Sequence, residues 1–132
     1  MFLHNSSERY EYGTINNALF YGLGDAIEFI NEIGIQMIND HNSNLSERFV
    51  DGLAKINGIE SQSPAENEYR TPIISFSING MDCLDVYYYL IREKNIRVRP
   101  VFENGLNFIR ASFHIYNNED DVDKLLYEIK NY

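Results

Sequence analysis

The stretch at residues 106–126, LNFIRASFHIYNNEDDVDKLL, changes its hydrophobic period part-way along, and that change limits the fold more than any other feature of the chain. From 108 to 115 the residues alternate. A strand there places Ile109, Ala111, Phe113 and Ile115 on one face and Phe108, Arg110, Ser112 and His114 on the other. The first face is core. The second presents a fixed cation, a hydroxyl and an imidazole at successive steps of roughly 6.5 Å along the strand, a surface able to hold an anion. Asn117, placed before Asp120 at capping-box spacing, then opens a helix whose apolar stripe is Val122, Leu125, Leu126 and Ile129.

The preceding chain reads as further elements of both kinds. Leu19, Leu23, Ala26, Ile27 and Ile30 recur at helical spacing over about 15–33, and Gly34 ends that helix. A second helix over about 35–56 carries Ile38, Leu45, Phe49, Leu53 and Ile56, with Gly58 as its stop. His41 falls on this stripe. Its expected role is a partly buried ring satisfied by a backbone carbonyl, because no carboxylate or nucleophile is spaced with it. Residues 59–63 read as a short edge strand and 64–71 as a polar loop. Ile74, Phe76 and Ile78 alternate with Ser75 and Ser77 in a strand that stops at Asn79 and Gly80. Asp82 caps a third helix, with Asp85 at its third position and Leu84, Tyr87, Tyr88 and Ile91 expected on the buried side. Helical spacing spreads the tyrosine run 87–89 around the cylinder, which favours packing over a stacking platform. Asn95 closes this helix. Residues 96–102 read as a strand with Ile96 and Val98 inward and Arg97 and Arg99 outward, near its end at Pro100.

This order predicts an α+β fold, a small and mainly antiparallel sheet covered by helices, with an N-terminal helical arm. The expected division is residues 1–56 as lead and two-helix arm and 57–132 as the small α+β domain. The stripes of the arm need a surface to cover, which implies a partner domain or subunit. A net charge of −9 over 132 residues argues against nucleic acid or an anionic membrane as partner. A single cysteine, Cys83, excludes an internal disulfide and suits a reducing compartment, and no apolar run has signal-peptide or membrane-spanning length, so the expected location is cytoplasmic.

Against that acidity, three of the seven arginines, Arg97, Arg99 and Arg110, fall within fourteen residues. A guanidinium fork on a rigid strand can grip a carboxylate through two parallel hydrogen bonds, which makes Arg110, with Arg99 beside it, the candidate site for a small carboxylic acid. The commoner use of such an arginine is a structural ion pair with one of the twenty acidic residues, and spacing leaves that open. There is no glycine-rich phosphate loop, no Cys or His pair at metal-ligand spacing and no serine in a nucleophile elbow. No catalytic residue and no metal ligand is assigned.

Two separated segments carry a family likeness. RYEYGT at 9–14, followed by NNALFYGLGDAIEFINEIG at 16–34, resembles the Arg-Phe-Glu-x-Gly-Thr-x-Asn segment of class V aminotransferases. IRASFHIYNNEDDVDKL at 109–125 resembles the Arg-x-Ser and Tyr-Asn-Thr-x-x-Asp segment of the same family, which includes cysteine desulfurases, selenocysteine lyases and isopenicillin-N-epimerase-like proteins. The likeness implies the C-terminal third of a fold-type-I pyridoxal-phosphate enzyme, including its small domain. It further implies that Gly13 and Thr14 contact the cofactor phosphate of the neighbouring subunit, that Arg110 and Arg99 bind the substrate carboxylate, and that the substrate is a small amino acid. By the same likeness the Schiff-base lysine comes from the large domain. Lys55, Lys94, Lys124 and Lys130 match no such motif. The chain alone is therefore expected to bind no cofactor and to need a missing large domain or a homodimer partner. Family members that transfer sulfur carry a cysteine on the loop before the substrate arginine, and residues 100–107 contain none. The alternative reading is a non-catalytic small-ligand or protein-interaction module derived from that domain.

Overall fold

The computed structural model describes residues 13, 16–64, 66 and 69–132, which fall into two units, Met1–Ile35 and Gln36–Tyr132. In the first unit α1 runs Asn17–Ile33. Asn16 starts it by accepting a hydrogen bond from the Leu19 backbone N–H, and Gly34 stops it with φ of 93°, a left-handed value that a Cβ would resist. No residue of α1 is buried. Leu19, Leu23 and Ile27 on the expected stripe are exposed, as are Phe20, Tyr21 and Phe29 off it, so the helix is apolar on more than one side.

The second unit contains α2 (Ile35–Leu53, from its second residue), β1 (Ile59–Ser61), β2 (Ile73–Ile78), α3 (Cys83–Glu93), β3 (Arg99–Val101), β4 (Phe108–Ser112) and α4 (Glu119–Lys130). The four strands form one sheet in the order β1-β2-β4-β3, every neighbouring pair antiparallel. One face of it is apolar. Ile74, Phe76, Ile109 and Ala111 share a buried cluster with Leu45, Phe49 and Leu53 of α2, Val86 and Leu90 of α3, and Val122, Leu125 and Ile129 of α4. The α+β class, with helices over one face of an antiparallel sheet, is thus the observed architecture.

Several local expectations are corrected by this arrangement. The sequence reading grouped α2 with α1 in an arm, whereas α2 lies in the core of the second unit. Phe49 is fully buried there, its ring edge-on to Phe76 at 5.7 Å and to Phe113 at 5.2 Å. A helical stripe shows that a face is buried but not what buries it. The strand expected over 108–115 ends at Ser112, because Pro72, which accepts from Phe113 N in the β2 register, has no N–H to return the bond, and residues 114–117 turn, with Asn117 N donating to His114 O at 2.9 Å. The strand expected over 96–102 is paired only from Arg99 to Val101. On α3 the buried residues are Cys83, Val86 and Leu90, with Leu84, Tyr87 and Tyr89 packed at the margin. Tyr88 is exposed, its ring lying 4.2 Å from the Arg92 guanidinium. The cap of α4 is Asn118 rather than Asn117. Asn118 accepts from Asp121 N and the Asp121 carboxylate accepts from Asn118 N, a reciprocal box, while the Asn117 side chain accepts from His114 N. Two adjacent asparagines both suit a helix start, and the turn takes the first. Among the described residues no helix is long and apolar enough to cross a membrane.

Candidate functional site

Strand β4 is central in the sheet, and its approach is clamped by one side chain. Asn107 accepts from Cys83 N at 2.7 Å and donates to Met81 O at 2.8 Å, fixing the start of β4 against the cap of α3. Alternation along β4 buries Ile109 and Ala111 and turns Arg110 to the opposite face. The register then places Ser75 of β2, Arg110 of β4 and Arg99 of β3 in one cross-strand row, neighbouring strands being about 4.8 Å apart.

Two like charges directly opposite each other across a strand pair repel, and each needs a counter-charge. Only Arg99 has one among the described residues. Its Nη2 donates to Glu103 Oε1 at 2.6 Å, and Glu103 Oε2 accepts from Phe102 N at 3.1 Å. The carboxyl of Glu103 is held below the usual carboxylate range by its own backbone N–H and by the Arg99 guanidinium. Arg110 is half-buried and makes no ion pair among the described residues, and its buried Nε has no hydrogen-bond partner. A partly desolvated guanidinium without an acceptor is costly, and a carboxylate bound across it supplies the missing acceptor. That is the chemistry this row can perform.

The other residues singled out from sequence are placed differently. Gly13 belongs to the first unit, and Thr14 lies outside the described residues. His114 leaves the strand face because β4 has already ended. Its ring lies 5.4 Å from that of Tyr116, and its Nδ1 is buried without a partner. His41 is half-buried with Nε2 3.0 Å from Asn117 O, the carbonyl-satisfied histidine that the sequence suggested. Cys83 is buried, and burial pushes its thiol up. Sequence reasoning missed the cluster that joins α3 to α4. There Tyr89 Oη donates to Glu128 Oε2 at 3.0 Å and Lys94 Nζ lies 2.8 Å from the same oxygen. Glu128 sits on the buried side of α4 beside Leu125 and Ile129, and a carboxylate at such a position is the one signal that could have revealed it.

The model of the aminotransferase class-V family matches residues 2–125. The chain belongs to the class-V aminotransferase family. It is 34% identical to a probable cysteine desulfurase of Methanothermobacter thermautotrophicus, covering 93% of this chain and 33% of that protein. It is 35% identical to a probable cysteine desulfurase of Ureaplasma parvum, over 98% of this chain and 34% of that one. Among solved structures, the apo cysteine desulfurase from Thermococcus onnurineus superposes with a TM-score of 0.85 at 28% identity, covering 95% of this chain and 33% of its own. The class-V chain described here therefore spans about a third of the length of these relatives. Members of the class-V family bind pyridoxal phosphate. Of the two residues that the likeness puts at the cofactor phosphate, only Gly13 is among the described residues. Gly13 is exposed, and nothing lies within 4 Å of the position a Cβ would take there, so its backbone can be approached closely.

Proposed function

We propose that this chain forms the C-terminal, substrate-gripping part of a class-V pyridoxal-phosphate enzyme that acts on a small amino acid. The observation that carries the reading is Arg110, a half-buried guanidinium on the central strand with no carboxylate of its own among the described residues. In this reading Arg110 binds the substrate carboxylate in bidentate fashion. Arg99, oriented by Glu103 across the strand pair, adds a second positive charge. Gly13 and Thr14 hold the cofactor phosphate of a neighbouring subunit. The cofactor, when bound, supplies the electron sink for charge that develops at the amino-acid Cα. A large domain, on the same polypeptide or another, contributes the lysine that anchors it, and dimer formation completes each site.

The rigid strand fixes the substrate by its carboxylate, so the bond to be broken at Cα is oriented by this domain. The chain offers no exposed nucleophilic sulfur to the reaction, since Cys83 is buried and its thiol is pushed up. That favours transamination, epimerisation or elimination over sulfur transfer through a thiolate of this domain. The test is a fusion of this chain behind the complementary two thirds of the Methanothermobacter relative. The expected result is cofactor-dependent turnover of a small amino acid with a KM that Arg110→Lys raises at least tenfold, because a point charge cannot reproduce the fork. An unchanged KM in the Arg110→Lys fusion would remove Arg110 from the site.

A further inference from the structure

The ladder between β3 and β4 has three residue pairs, from Arg99↔Arg110 to Val101↔Phe108, and then the two segments part. The β3 flank is drawn away, Ile96 N donating to Leu90 O of α3, while the β4 flank stays in register beside β2, Phe113 N donating to Pro72 O, both at 2.9 Å. A cavity of about 390 Å³ occupies the fork, closed on its far side by α4, and its size is that of a small-molecule pocket. Ile96, Val98 and Leu125 give it an apolar floor, while Arg97, Asn117, Asp121 and Lys124 supply polar groups around it. Arg99 and Arg110 do not line it.

Arg97 and Lys124 are in no ion pair among the described residues, a state they share with Lys55, Arg92, Arg110 and Lys130, but these two stand at one cavity. Of the acids near them, Asp121 also lines the cavity and is hydrogen-bonded only by neutral groups, so it keeps its charge, whereas Glu128 is paired. Asp121 accepts from Asn118 N at 3.1 Å and from Asn117 Nδ2 at 3.4 Å, and Glu128, one turn along α4 from Lys124, is held by Lys94 at 2.8 Å. Two cations against one lining carboxylate leave the walls of this partly apolar cavity net positive, which suits a ligand that is apolar at one end and anionic at the other.

We propose that the fork between residues 96–98 and 111–113 binds a small organic carboxylate, its apolar or aromatic body on Ile96, Val98 and Leu125 and its charge on Arg97 and Lys124. The site is separate in residues from the Arg110 row, and it stands or falls independently of the role given to that row.

Benzoate and uncharged benzyl alcohol, titrated at constant ionic strength into the full 132-residue chain with amide shifts followed by NMR, distinguish the possibilities. Benzoate is expected to give saturable shifts centred on 96–98, 111–113 and Lys124, and benzyl alcohol is expected to give none. Arg97→Gln and Lys124→Gln should each weaken benzoate about tenfold, the loss of one charge-assisted contact. Both side chains are exposed and outside any ion pair among the described residues, so the variant spectra should otherwise match the parent. Equal binding of benzyl alcohol, shifts confined to Arg110 and Arg99, no saturable shift, or parental affinity in the double variant would each overturn the proposal. The comparison of the two probes on the parent chain decides the matter even where a variant fails to fold.

Discussion

At the scale of single residues, Arg110 carries the argument because its chemistry and its surroundings disagree. A guanidinium removed partly from water normally finds a carboxylate, and removing one partner of such a pair costs several kcal/mol. Here no pair exists among the described residues, and the buried Nε has no acceptor. Arg110→Met, which keeps the aliphatic length and removes the unmet donor, should therefore change the unfolding free energy by less than about 1 kcal/mol in either direction in urea titration. A loss of more than about 2 kcal/mol would mean that Arg110 is structural. Single-residue roles were legible where one neighbour decides them. The carbonyl-bound state of His41 followed from the absence of any spaced catalytic partner, and the structure supplies Asn117 O. The choice between Asn117 and Asn118 as helix cap was not legible, because both side chains find a backbone N–H and the number of residues in the turn decides which.

At the scale of elements, α2 and α4 pack so closely that a side chain at Gly52 would force that of Leu126 to shift. A Cβ on Gly52 would overlap the methyls of Leu126, and Gly52→Ala therefore sets an overpacking cost of about 1–3 kcal/mol against a helix-propensity gain of about 1 kcal/mol. A net loss of about 1 kcal/mol is expected, and Leu126→Ala in the Gly52→Ala background should couple favourably with it in a double-mutant cycle. Additive effects would show that the helices simply move apart. The same two helices are joined by Arg48, whose Nε and Nη2 meet the two oxygens of Asp123 at 2.8 and 2.7 Å, and α3 is joined to α4 by Lys94 and Glu128. The Arg48 hydrogen bond holds the Asp123 carboxyl below its ordinary range, and the Lys94 hydrogen bond does the same for Glu128. A carboxyl with a depressed folded-state pKa adds stability that is complete above its unfolded value, about 4, and disappears as pH falls through the folded value. The melting temperature should thus fall as pH drops below about 4, and Glu128→Gln should both lower it at pH 7 and flatten that acid limb. An acid limb identical in the variant would remove Glu128 from the account. None of these inter-helix contacts was legible, since pairs such as Arg48 with Asp123 are 75 positions apart in the chain and periodicity reports only local order.

At the scale of the whole molecule, the class of fold was legible because period changes are local and strong. Alternation at Ile74 and Phe76 and again at Ile109 and Ala111 marks the two central strands, and the helical stripes bury Ile38, Leu45, Phe49 and Leu53 of α2 and Val122, Leu125 and Ile129 of α4. Leu126 and Ile56, which lies beyond the end of α2, are only half-buried. The short strands were less legible. β3 contributes three paired residues, too few for alternation to define, and the fork beside it exists because its flank is drawn toward α3. The grouping of α2 was illegible for a different reason, since amphipathic helices of two units carry the same signature. In this molecule the sheet presents one positively charged row whose central member lacks an acid partner among the described residues, within a chain that belongs to a family of pyridoxal-phosphate enzymes. The central claim, that Arg110 awaits an external carboxylate, is tested most directly by the NMR signal of its side-chain Nε–H as acetate replaces chloride at fixed ionic strength. The account predicts a saturable downfield movement of the Arg110 signal and a smaller one for Arg99, which Glu103 already occupies. An Arg110 signal that does not move, or one already shifted by a carboxylate of the chain itself, would contradict it.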